Sequence, residues 1–366
     1  MRARTFIFLL CITTLNGYSQ IAQTDTSNII YNLSGKILYS SIWTGRESLH
    51  QFTQDHPWSA QIDFSVLKNT QYAWNYCHCY SQSGLSFGYI NFANPSKLGK
   101  AFTVAGFAEP YLLLSKRFQI SLRGGMGLAF LNKVYDSIAN RENIFFSTKM
   151  SFLLMLGTNF SWQINEYLKF KTSIQFNHIS NGGRRDPNEG MNFPGFTIGL
   201  DYSINRQKLE RRTKEKFTGK SVGVVIHTFG NLRTAWAGGV WPEERQLVLG
   251  SNGGVIKRIS RLNGVGAGGE FYYDGINSVY QQRSGQSIQT VVAAVNVQHY
   301  LFFGKLLFGQ QLAWFVTPNT GYKRVLFQRY FIEYEMRRNW YAGFSLKAHG
   351  DHADYLAFST GYFFKI

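Results

Sequence analysis

Residues 168–193 read "LKFKTSIQFNHISNGGRRDPNEGMNF", and their first thirteen positions decide the fold class. Leu168, Phe170, Thr172, Ile174 and Phe176 occupy one parity, while Lys169, Lys171, Ser173, Gln175 and Asn177 occupy the other. A period of two places successive side chains on opposite faces of an extended chain, so the segment is a strand with one apolar and one strongly polar face. The polar parity then ends in a glycine-rich loop with two arginines, a proline and two acids.

The same alternation recurs along the chain. Ala60, Ile62, Phe64 and Val66 interleave with Gln61, Asp63 and Ser65, and Phe118, Ile120 and Leu122 with Gln119, Ser121 and Arg123. Further strands are expected over roughly 30–41, 83–93, 101–115, 146–164, 167–181, 194–204, 220–233, 244–258, 260–274, 288–303, 305–317, 325–336, 338–348 and 354–366, about sixteen in all. Many reach the roughly 9 to 11 residues that cross a bilayer at a tilt. Helical periodicity to cover such a sheet is scarce, and 31 Phe, 21 Tyr and 8 Trp beside 36 Gly suit aromatic girdles and tight turns. In lipid, strands must close on themselves so that no backbone group stays unpaired. The expectation is therefore an all-β chain, a transmembrane antiparallel outer-membrane β-barrel of about 14 to 16 strands.

The beginning, "MRARTFIFLLCITTLNGYSQ", has Arg2 and Arg4 ahead of a short apolar run, the pattern of a signal peptide over residues 1–20. Cys11 lies in that run without a lipobox before it. No later apolar run reaches the ~18 residues of a membrane helix. The formal net charge of +17 suits a polyanionic neighbour, and export makes phosphate-bearing lipid a better partner than nucleic acid. Expected short turns at 115–117, 165–166, 303–305 and 337–339 belong to the periplasmic side, where the basic connection 205–220 also falls. Leu356, Phe358, Tyr362, Phe364 and Ile366 share one parity, as an outward-facing last strand should, and the end resembles the signal read by the barrel-assembly machinery.

Several motifs invite chemistry and are better explained by strands or turns. Gly84-Leu85-Ser86-Phe87-Gly88 matches a nucleophile elbow but lies inside an alternating strand. Gly264, Gly266, Gly268 and Gly269 lack the following helix of a dinucleotide loop. Cys77, His78 and Cys79 lack a fourth metal ligand, and on a strand the two cysteines share a face and hardly bridge each other. His349 and His352 flank a hairpin turn. No metal or other cofactor is expected.

His178 and Ser180 fall on the apolar parity of the opening strand, which faces lipid if the interior is polar. Two residues apart on one strand, their Cβ atoms lie about 6 to 7 Å apart, near enough for an imidazole to reach a hydroxyl. Polar groups on such a face are costly unless they pair, work, or end the strand at the interface. With both termini periplasmic, the following loop faces outward, toward the lipopolysaccharide leaflet, and Arg184 and Arg185 suit lipid phosphates.

At these residues "HISNGGRRDPNEGMN" (178–192) resembles the motif of the outer-membrane lipid A 3-O-deacylases, with weaker similarity over 83–113 and 345–362. The resemblance implies an ester hydrolase acting on the lipid A of lipopolysaccharide. Ser180 would be the nucleophile and His178 its general base, while Asn181, Gly182, Gly183 and Asn188 become candidates for holding the oxyanion. Asn192 stands where the best-studied form of the family carries a glutamate and has the parity to face His178 and orient the imidazole; Glu189 and Asp186 are the nearby carboxylates.

The expected organisation is one barrel over 21–366, with a deacylase-like part at 30–204 and additional strands from 221. Its expected location is the outer membrane. The alternatives are a non-catalytic channel or structural barrel, and a split into an eight-stranded barrel at 30–204 with the remainder packed separately.

Overall fold

The computed structural model describes residues 29–365 except 206–208, 210–211, 214–216, 219–221, 236–239, 323–324 and 351. The expected signal peptide and Ile366 lie outside the described residues. Sixteen antiparallel strands follow one another: β1 (Ile29–Ser40), β2 (Trp58–Lys68), β3 (Ser81–Asn91), β4 (Lys100–Leu114), β5 (Phe118–Leu131), β6 (Met150–Gln163), β7 (Leu168–Ser180) and β8 (Met191–Ser203) in the first half. The second half contains β9 (Val222–Ala235), β10 (Glu244–Arg258), β11 (Asn263–Asp274), β12 (Val291–Phe303), β13 (Leu306–Phe315), β14 (Leu326–Arg337), β15 (Trp340–His349) and β16 (His352–Lys365). A 3-10 segment (Glu47–Gln54), α1 (Gln71–Cys77) and α2 (Gly275–Ser284) lie in connections, and no described helix is long and apolar enough to cross a membrane.

The number of strands agrees with the alternation, but their closure corrects the single-barrel reading. β1 pairs with β8 and β9 with β16, so residues 29–203 and 222–365 form two closed barrels of eight strands. Eight strands leave an interior just wide enough for side chains to fill, and the polar parity fills it. In the first barrel Arg123 pairs with Asp63 through both guanidinium arms at 2.8 and 3.0 Å. Lys36 also meets Asp63 at 3.0 Å, Lys171 meets Glu109 at 2.5 Å, and Lys169 faces Asp201 at 3.3 Å. The closing seam carries a Ser203 hydroxyl donating to Asn32 at 2.7 Å. These charges compensate one another across a narrow barrel; in a sixteen-stranded lumen they would stand too far apart to do so.

The second barrel repeats the principle with other residues. Arg329 forks onto Glu270 at 2.7 and 2.6 Å, and His227 lies between Glu333 at 3.1 Å and Tyr300 at 3.0 Å. Outward faces are apolar, including Ile37, Ile62, Phe64 and Ile198 in the first barrel and Leu249, Val255 and Phe358 in the second. Aromatic contacts band the first barrel at both ends, with Trp58, Tyr89 and Phe102 near the long loops and Phe118, Trp162, Tyr167 and Tyr202 near the short turns. That banding is the pattern of a wall that meets two water–lipid interfaces.

Both ends of the first barrel are plugged. Leu49, Phe52, Phe92, Phe145, Phe146 and Phe193 are buried together at the loop end, and Trp74, Tyr80 and Tyr111 at the turn end. The connection after β2 also corrects the reading of the cysteines. Cys77 ends α1 and His78 takes a left-handed conformation, so the chain turns and Cys77 and Cys79 form a disulfide with Cα atoms 5.1 Å apart. On a flat strand they could not have met, and with both sulfurs bonded they offer no thiolate to a metal.

Candidate active site

β7 and β8 run side by side, with His178 directly opposite Asn192 in their register. Along β7 the interior residues Lys169, Lys171, Ser173, Gln175 and Asn177 are buried, which leaves His178 and Ser180 on the outward face at the loop end. The imidazole Nδ1 meets Asn192 Oδ1 at 2.7 Å. With the amide oxygen accepting, Nδ1 carries the proton and Nε2 remains free to take one from a hydroxyl. Asn192 is itself held, because its carbonyl accepts the N–H of Trp43 at 2.8 Å.

The loop between the strands fits over the ring at a glycine. Gly190 has φ +67°, and a Cβ there would lie 2.7 Å from His178 Cε1, so both backbone and space demand the missing side chain. Neighbouring chain holds this turn: Glu189 N–H donates to Ile144 O at 3.1 Å and Gly190 N–H to Phe145 O at 3.2 Å. Glu189 is engaged elsewhere, paired with Arg46 at 2.8 Å. Asp186 keeps an exposed position at the rim, yet loss of water and then the charge of Glu189 push its carboxyl up to about 7, against the pull of Arg233 and Arg46. A carboxyl so placed is a poor fixed anion for an imidazole at neutral pH.

Asn181 organises the start of the loop rather than facing a reactant. Its N–H donates to Asn188 Oδ1 at 2.8 Å, its amide donates to Ser147 Oγ at 2.9 Å and to Arg185 O, and its Oδ1 accepts from the N–H of Arg184 at 3.0 Å. The consequence is a compact turn in which Gly182 and Gly183, both at positive φ, follow Ser180 closely. A cavity of 330 Å³ takes in His178, Ser180, Gly182, Gly183 and Asn188 and is otherwise largely apolar. On the other side of Asn192 a wider, open groove runs past Trp43, Arg46 and Glu189. Arg184 and Arg185 project into solvent beside the first cavity.

The remaining motifs do not join this site. Ser86 of the elbow-like pentapeptide is buried inside the first barrel, and the glycine-rich run lies within β11. His349 stacks on Tyr322 at 4.2 Å and approaches Asp354 at 3.7 Å in the second barrel; Asp351 lies outside the described residues. Among the described residues no three His, Cys, Asp or Glu side chains are grouped to hold a metal ion. Sequence reasoning missed Gly190 and Ser147. A left-handed glycine one turn from a histidine leaves no signature that separates it from any loop glycine.

Comparison with known proteins gives two family matches. Residues 52–201 match the family described as "Lipid A 3-O-deacylase (PagL)", and residues 222–366 match "Acyloxyacyl hydrolase, C-terminal domain". No curated protein matches the sequence. Among solved structures, a mutant porin of Rh. blastica aligns over 92% of this chain and 100% of its own at 11% identity and a TM-score of 0.21. The translocator domain of the autotransporter NalP from Neisseria meningitidis aligns over 93% and 90% at 8% identity and a TM-score of 0.23. Superposition that loose carries no argument about this chain.

Proposed function

Because the chain belongs to the lipid A 3-O-deacylase family and carries that family's acyloxyacyl hydrolase C-terminal domain, we propose that it hydrolyses an ester-linked acyl chain of lipid A. The family and the closed barrels are consistent with an outer-membrane protein. In this reading lipopolysaccharide is the substrate, lipid of that membrane surrounds the barrels, and the barrel-assembly machinery is the route there.

The observation that carries the reading is the outward-facing His178–Asn192 pair at 2.7 Å, two residues from Ser180 and beside an apolar cavity. Asn192 holds the ring with Nε2 unprotonated. Ser180 passes its proton to that nitrogen as its oxygen attacks the ester carbonyl, and the resulting imidazolium then protonates the departing sugar oxygen. Water, activated by the same imidazole, cleaves the acyl-enzyme and releases a fatty acid. Charge on the tetrahedral oxygen falls to the backbone amides of Gly182 and Gly183 and to the side-chain amide of Asn188, since Asn181 is committed to the loop. Arg184 and Arg185 bind phosphate on the headgroup.

The test is mass spectrometry of lipid A from cells with and without the protein. One acyl chain is expected to disappear with the wild type and to persist with Ser180→Ala. An unchanged lipid A profile, or equal loss in the variant, refutes the hydrolase.

A further inference from the structure

The two barrels touch where the loop 181–190 leans on β16. Gly182 O accepts the N–H of Leu356 at 3.5 Å, and the Thr234 hydroxyl donates to Arg184 O at 3.0 Å. A Cβ at Gly182 would come within 3.1 Å of Phe152 and 3.3 Å of Leu356, and one at Gly183 within 3.1 Å of Asp354 O. The glycines thus permit a contact too close for side chains, and the second barrel holds the loop that carries the expected oxyanion donors.

Beside this contact the walls part around the 330 Å³ cavity. Phe152, Leu154 and Leu156 of the first barrel form one side, and Ile332, Leu346 and Leu356 of the second form the other. His178 and Ser180 stand at its polar margin.

We propose that this inter-barrel cleft receives the acyl chain being cleaved and that the second barrel, through Ile332, Leu346 and Leu356, sets the chain length accepted. The proposal rests on Ser180 being the nucleophile. With the carbonyl at Ser180 and the headgroup at Arg184 and Arg185, the tail must leave on the apolar side, and the cleft is the apolar space that adjoins the serine. A lone barrel would leave that tail among fluid lipid chains, which are as apolar as the wall and discriminate little between lengths. A second wall replaces them with fixed side chains, so a chain that is too long clashes and one that is too short leaves a void. The bounded size of the space limits the length of chain it can hold. A single methylene more or less in such a pocket alters specificity about ten-fold or more.

The test uses the full-length protein in phospholipid vesicles and p-nitrophenyl esters of increasing acyl length. Wild type is expected to show a single optimum length. Ile332→Trp narrows the cleft and should move the optimum at least two carbons shorter, lowering the long-to-short ratio of kcat/KM about ten-fold. Leu346→Ala widens it and should move the optimum longer, which keeps the test in force if the tryptophan variant fails to fold. Val295→Trp, on the outward face of β12 and away from the cleft, should leave the profile as it is. An optimum that stays in place in the folded cleft variants, or loss that is uniform across lengths, overturns the cleft while leaving the hydrolase intact. If Ser180→Ala cleaves the esters as fast as the wild type, the nucleophile assignment falls and the cleft proposal with it.

Discussion

At the scale of single residues the proposed site turns on an amide, Asn192, beside the imidazole. Asn192 meets the imidazole at 2.7 Å, and in the mechanism proposed above it supplies no charge to the imidazolium. Asn192→Asp is therefore expected to raise kcat about ten-fold with little change in KM, and Asn192→Leu to lower it on the order of 10²-fold. Steady-state hydrolysis of a soluble ester checks both; a faster Asn192→Leu enzyme would end the orienting role. Gly190→Val should also lose activity, because its side chain would enter the space of the imidazole. Parity alone put His178, Ser180 and Asn192 on one wall, since adjacent strands in register share their faces. Gly190 was not legible, because its requirement arises from a ring on another strand.

At the scale of elements, the loop 181–190 is a folded unit tied by amides. Asn188 accepts the N–H of Asn181, and the Asn181 side chain spans Ser147, Arg184 and Arg185. Removing one such bond costs about 1 kcal/mol, or roughly five-fold in the opening equilibrium. Asn188→Ala should accordingly increase tryptic cleavage after Arg184 and Arg185 several-fold while the barrels remain intact. Equal cleavage of variant and wild type would show that the amide network does not hold the loop. Strands and their short turns were legible from the alternation and its interruptions. The disulfide was not, because treating Cys77 and Cys79 as part of a strand concealed the helix end and the left-handed His78 that bring them together.

At the scale of the whole molecule, paired charges and apolar plugs fill the first barrel, and the second contains a comparable network around Arg329, His227 and Lys347. Among the described residues, side chains fill both interiors, so reconstitution into planar bilayers should produce no stepwise conductance. Porin-like steps would contradict the filled interiors and favour the channel reading. Each barrel has its own closing seam, and cleavage near Arg212 should leave both halves heat-modifiable on gels; collapse of one half would show that it does not close alone.

The local sequence determined which side chains face outward, that the strands number about 14 to 16, and that a histidine, a serine and an asparagine share a face. Those properties follow from a period of two and the polarity of each parity, and both are written in neighbouring residues. Closure was decided only in three dimensions, because the pairing of Asn32 with Ser203 spans 171 residues and no local pattern distinguishes a strand that meets β1 from one that continues the sheet. The cleft at Ser180 is of the same kind. It exists because two separately closed surfaces come together at Gly182 and Leu356, and that juxtaposition belongs to neither stretch of sequence alone.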